Sequence, residues 1–76
     1  METALSNMHK GQTGKIIEIL DCALEQQLVA MGCIPGEQLF VENYAPFKDP
    51  IEVRIQEQFI SIRVADAGKI VIDIEE

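Results

Sequence analysis

Tryptophan is absent from this 76-residue chain, and tyrosine and histidine occur once each, at Tyr44 and His9. A single histidine allows no histidine pair, no Ser-His-Asp set and no His-rich metal cluster within one chain. The two cysteines, Cys22 and Cys33, are too few for the disulfide framework of a small secreted domain and match no compact Cys-x-x-Cys zinc spacing. Placed at the two ends of one helix, their sulfurs would lie roughly 15 Å apart, which leaves both as reduced packing residues. No Gly-x-x-x-x-Gly-Lys-Ser/Thr run is present, so nucleotide hydrolysis cannot be assigned to the chain. Nor does any stretch approach the ~20 consecutive apolar residues of a membrane span. Met1 to Gly14 is polar and lacks the apolar centre of a signal peptide. Basic residues are scarce too: six Lys and Arg, scattered from Lys10 to Lys69, face thirteen Asp and Glu, for a net charge of −7. That balance counts against nucleic acid and against anionic lipid surfaces. A cytoplasmic protein without direct membrane insertion is the expectation.

What is present describes one folded domain over residues 1–76. The hydrophobic fraction of 47% and charged fraction of 25% are ordinary for a globular chain, despite the acidity. A chain this short buries only roughly 60–65% of the surface its unfolded form exposes. One compact core is within reach, whereas a core plus a deep catalytic cleft is not, so neither an enzyme nor a bound cofactor is expected.

Gly11 and Gly14 bracket a turn, and the apolar run Lys15–Leu20 behind them reads as a buried strand. Asp21 is suited to cap a helix of about three turns in which Leu24, Leu28 and Met31 form an apolar stripe, with Glu25 in the first turn. Gly32 fits the left-handed position that ends it, and Pro35 prevents its resumption. Glu37–Tyr44 is the next strand, with Leu39 and Val41 on one face and Phe40, Glu42 and Tyr44 on the other. Two prolines make Ala45–Pro50 a loop. Clean alternation follows, with Ile51, Val53 and Ile55 inward, a hairpin turn through Gln56, Glu57 and Gln58, and a strand over Phe59–Arg63 burying Ile60 and Ile62. Ala65–Gly68 allows a single helical turn, and Lys69–Ile74 alternates again through Ile70, Ile72 and Ile74. The expected fold is therefore mainly β (α+β): a small SH3-like five-stranded antiparallel barrel with one helix after the first strand.

Leu5, Gly11-x-x-Gly14-Lys15-Ile16, Leu28-x-x-Met31-Gly32-x-x-Pro35-Gly36, Pro46-x-x-Asp49-Pro50 and Ile62-Arg63-x-x-x-Ala67-x-x-Ile70 follow one another in an order and spacing similar to the FeoA family. These are small accessory proteins of bacterial ferrous iron transport, and the resemblance spans nearly the whole chain. It implies the same SH3-like barrel with an inserted helix. It also implies a non-enzymatic, cytoplasmic role in binding the FeoB-type membrane transporter, whose GTP-binding part would own any nucleotide chemistry. The alternative, from another functional class, is a metal-responsive sensor or carrier holding a divalent transition metal directly. Two departures stand out. The family usually has a glycine where this chain has Glu57, so a residue with a side chain must there avoid or bear a positive φ angle. Phe47-Lys48 replaces the usual small or leucine-glycine filling of its loop. The pattern is also similar to the C-terminal domain of iron- or manganese-dependent repressors, but no DNA-binding helices precede it here, which counts against a free-standing repressor.

The contact candidates are Phe47, Tyr44 and Arg63. Phe47, on a proline-bounded loop, is the hardest apolar residue to assign to the core, and the ring of Tyr44 lies just before the same loop. Arg63 points outward and offers its fork of donors to a carboxylate, on this chain or on a partner. Phe40 and Phe59 complete the set of aromatic side chains available to a surface. His9 reads as solvent-facing, and Met31, at helical spacing with Leu24 and Leu28, as core rather than a thioether ligand like that offered by Met8. Asp73, Glu75 and Glu76 form an acidic end that would hold a cation only weakly, and Asp49, near Glu52, is expected to bond to its own loop backbone. Any weak self-association would run through an exposed strand edge.

Overall fold

Alternating β-branched residues build most of this molecule, whose computed structural model describes residues 1–75. The strands are β1 (Glu2–Ala4), β2 (Thr13–Ile19), β3 (Gln38–Tyr44), β4 (Ile51–Ile55), β5 (Gln58–Ile62) and β6 (Ile70–Ile74). They form one antiparallel sheet in the order β1-β6-β2-β3-β4-β5. Among the described residues two α-helices accompany them, α1 (Cys22–Ala30) and the single turn α2 (Val64–Ala67), with short 3-10 turns at Leu5–Asn7 and Pro46–Lys48.

Ile16, Ile19, Leu39, Val41, Ile51, Val53, Ile55, Ile60, Ile62, Ile70 and Ile72 are all buried in one core. Among the described residues, Leu24 and Leu28 of α1, with Leu5, Met8, Cys33 and Ala67, are the other buried members, and Tyr44, Val64 and Ile74 pack against them partly buried. So few additional side chains cannot roof a flat sheet of this width; the sheet curls over itself, and the 28 × 25 × 22 Å envelope is correspondingly near-isometric. This is the expected SH3-like barrel, with two corrections. Among the described residues there are six strands rather than five, because Glu2–Ala4 pairs with β6, and α1 consequently follows the second strand. The additional strand has three residues and no legible alternation, and only long-range pairing to Val71–Asp73 makes it a strand.

Gly14 lies inside β2 rather than at a turn. A Cβ there would stand 2.3 Å from Ile72 Cγ2 and 3.0 Å from the Asp73 carbonyl oxygen, so the missing side chain lets β6 close on β2. A bulge between Ile16 and Glu18 then lets Ile16 and Ile19 both face the core while Ile17 stays exposed. Asp21 caps α1 as expected, its Oδ1 accepting the Leu24 N–H at 3.0 Å. That bond first, and then the bond from Lys69 Nζ at 3.3 Å, holds the Asp21 carboxyl below the ordinary aspartate value.

Met31 is not in the core: it is 44% exposed at the C-cap, where α1 has ended after Ala30. Gly32 turns the chain at φ 98°, and the buried Cys33, its N–H donating to the Leu28 carbonyl at 2.8 Å, completes the core beneath the helix end. The Gln56-Glu57 turn takes φ angles of 51° and 71°, the doubly positive geometry that suits a two-residue hairpin, borne here without glycine.

Candidate functional site

The connection from β3 to β4 is the most conspicuous surface feature. Pro46 fixes the start of a tight turn, and Phe47 and Lys48 follow at φ 66° and 64°, both in the region that side chains disfavour. The turn is tied down on either side. Lys48 N–H donates to the Ala45 carbonyl at 2.7 Å, and Ala45 N–H donates to the Pro50 carbonyl at 3.0 Å. Asp49 does not bond within its own loop, as the sequence led us to expect. Its Oδ1 accepts the Val64 N–H at 3.1 Å and so fastens the loop to the start of α2, whose first N–H groups lack helical partners. The outcome is a held loop whose Phe47 side chain is 101% exposed.

Tyr44 is half-buried against the core at the foot of this loop, and its hydroxyl donates to the Met8 carbonyl. Burial pushes its phenol pKa up. Tyr44 and Phe47 therefore belong to one loop and its foot, whereas Arg63, next to the Val64 that bonds Asp49, faces a different groove. It flanks α2, exposed, in a shallow groove with Gln27, Met31, Ser61 and Asp66. Among the described residues Arg63 forms no ion pair. Phe40 is covered by the Arg54 guanidinium 5.0 Å from its ring centre, and Phe59 is exposed on β5.

A concavity of about 520 Å³ lies beside Tyr44, lined also by Met8, His9, Lys10, Lys48 and Val64. Sequence reasoning did not find it. His9 and Lys10 reach it from the segment before β2 and Lys48 from the far side of β3, so no local pattern joins them.

The remaining chemistry-bearing residues are dispersed. Cys22 is exposed and Cys33 buried, and burial pushes the Cys33 thiol up to about 11. Asp73 accepts the Met1 ammonium at 2.7 Å, Glu75 accepts the Gln38 side-chain amide, and Glu76 lies outside the described residues. Among the described residues, no three His, Cys, Asp or Glu side chains gather closely enough to hold a metal ion. No described helix is long and apolar enough to cross a membrane.

Comparison with known proteins places this geometry. The FeoA domain model matches residues 3–74. The Porphyromonas gingivalis Fe(2+) transport protein A/Fe(2+) transporter FeoB fusion protein is 30% identical over 71 residues, covering 92% of this chain but 8% of the relative's length. The crystal structure of an iron uptake regulatory protein, FeoA, superposes with a TM-score of 0.88 at 29% identity and covers 99% of both chains. The Stenotrophomonas maltophilia FeoA, described as a prokaryotic SH3 domain protein and solved with zinc, shares the fold with a TM-score of 0.83 at 20% identity, covering 97% of this chain and 96% of its own.

Proposed function

We propose, from the premise that this chain belongs to the FeoA domain family, that it is a non-enzymatic cytoplasmic accessory of ferrous iron uptake that acts by docking on a FeoB-type transporter. One observation carries the reading: in the Porphyromonas gingivalis relative, a segment 30% identical to this chain is part of the same polypeptide as the transporter. Covalent linkage raises effective concentration and is useful to two modules that must meet. Without such linkage, the same encounter requires a surface with affinity of its own.

The Pro46–Asp49 turn supports that role. A fully exposed phenylalanine on a firmly held loop gives up its solvation cheaply on binding and has little conformational freedom to lose. Backbone held at positive φ by non-glycine residues costs of order 1 kcal/mol each and concentrates where a surface serves binding. Phe47 is the proposed principal contact, Tyr44 the support at its base, and Arg63 a flanking contact reached around α2. Docking would alter the transporter's opening or its nucleotide cycle.

The test is retention of the transporter's purified cytoplasmic domain on this chain at about 50 μM, with Phe47→Ala as the surface variant and Leu28→Ala as a fold control. Retention by the wild-type chain that Phe47→Ala loses is the expected result; no retention overturns the reading. The zinc in the Stenotrophomonas maltophilia relative favours direct metal binding as a second reading. Anaerobic titration with Fe²⁺, followed by NMR, would then give saturable shifts at a defined set of residues.

A further inference from the structure

The concavity beside Tyr44 carries charge of the opposite sign to the chain as a whole. Of the six Lys and Arg residues in a chain with thirteen acids, Arg54 is neutralised by Glu42 at 3.2 Å and Lys69 by Asp21 at 3.3 Å. Lys10 and Lys48 both line the concavity, with His9 beside them, and among the described residues neither lysine has a carboxylate within ion-pair distance. The neighbouring carboxylate, Asp49, is engaged with the Val64 N–H instead.

The deeper lining is different. Met8 is buried, Tyr44 and Val64 are half-buried, and the Tyr44 hydroxyl is already committed to the Met8 carbonyl. Ser6 and Asn7 also line the concavity, the Asn7 amide already given to Thr3 Oγ1 at 3.2 Å, so the lining is largely apolar with two neutral polar residues, and the charge at its rim is cationic. Such a surface is complementary to an apolar side chain flanked by carboxylates. A small inorganic anion would need converging donors, yet the His9 N–H is given to Gln12 Oε1 at 2.7 Å and the Lys48 N–H to the Ala45 carbonyl at 2.7 Å.

We infer that this concavity receives an acidic segment of a partner protein, with an apolar side chain on the Tyr44–Val64 floor and carboxylates against Lys10 and Lys48. The inference rests on the docking role proposed for the Pro46–Asp49 loop, since Lys48 belongs to both. It names the chemistry of what arrives there and makes Lys10 and Lys48 the source of sign selectivity. Because the rim charges are exposed, their contribution falls as salt rises.

The experiment is an NMR titration of the isotope-labelled full chain with the peptide Ac-Glu-Glu-Leu-Glu-Glu-Leu-NH2, its counterpart with lysine in place of glutamate, and inorganic phosphate. Saturable shifts at Met8, His9, Lys10, Tyr44 and Lys48 with the acidic peptide alone are expected. Lys10→Glu combined with Lys48→Glu should weaken them roughly tenfold, and the paired change to Gln less. Both lysines are exposed, so either variant should keep the wild-type spectrum elsewhere. Three results overturn the inference: equal shifts with the lysine peptide, the same shifts from phosphate with none added by the peptide, or no shifts at these residues up to about 2 mM. The outcome is separable from that of the transporter pull-down. Peptide binding without transporter retention leaves this inference standing and removes the partner's identity. Retention indifferent to both lysine substitutions overturns the inference and leaves docking intact.

Discussion

Strand β4 begins and ends at the same backbone anomaly put to two uses. At its C-terminal end, Gln56 and Glu57 lie at positive φ in a two-residue turn, and at its N-terminal side Phe47 and Lys48 do so within a longer connection. In the first case topology demands the conformation. With Ile55 paired to Gln58, the two-residue connection must take one of the primed turns that match the strand twist, of which this is the doubly positive one, and the ladder from Ile55–Gln58 to Ile51–Ile62 offsets the strain. In the second case Tyr44 pairs directly with Ile51 across six intervening residues, a length that leaves gentler routes open. There the conformation leaves an aromatic ring out in water, on the surface proposed to dock. One strained pair belongs to folding, the other, on the proposed function, to display.

Four experiments break or sharpen that distinction. Phe47→Ala should weaken the transporter complex roughly tenfold or more, while the urea midpoint stays unchanged because the ring touches no core; a shifted midpoint would return the loop to the folding side. Asp49→Ala removes the bond to Val64 N–H and should cost about 1 kcal/mol of stability by urea unfolding, with looser binding as well, since the display would then lack its tether. Glu57→Gly should stabilise the chain by about 0.5–1 kcal/mol and leave binding untouched, as expected of strain that belongs only to the hairpin. The smallest effect lies outside both loops. The Asp21 carboxyl is held below its ordinary value in the folded chain, first by the Leu24 N–H and then by Lys69, so its contribution is complete above the unfolded value and disappears as pH falls through the depressed one. Asp21→Asn, which retains a capping oxygen, should flatten that part of the acid-unfolding profile without changing either loop.

Most of the barrel was legible because its strands follow a period of two and its one long helix carries a cap at each end. Ile51 to Ile55 and Ile70 to Ile74 announce themselves, as do Asp21 and Gly32. Three of the misreadings share a cause: each depended on a distant segment. Glu2–Ala4 is a strand only beside β6, Gly14 is a close-packing glycine only because Ile72 passes over it, and Asp49 turns outward to a helix start fifteen positions away. Met31 kept the right spacing but lost its burial, because the helix ended first and Cys33 supplied the core. At the surface, the prolines around Phe47 marked its exposure in advance. The cationic concavity left no such mark, since His9, Lys10, Tyr44 and Lys48 meet only after β3 is laid beside β2.

The pairing of Glu2 with Asp73 places the first and last strands side by side in opposite directions. A longer polypeptide could therefore enter this domain and leave it through neighbouring points, and a host protein would accommodate the whole unit much as it accommodates an enlarged surface loop. Splicing at that seam asks for hardly any spacer, so the barrel is mechanically suited to life as a cassette as well as to life as a partner.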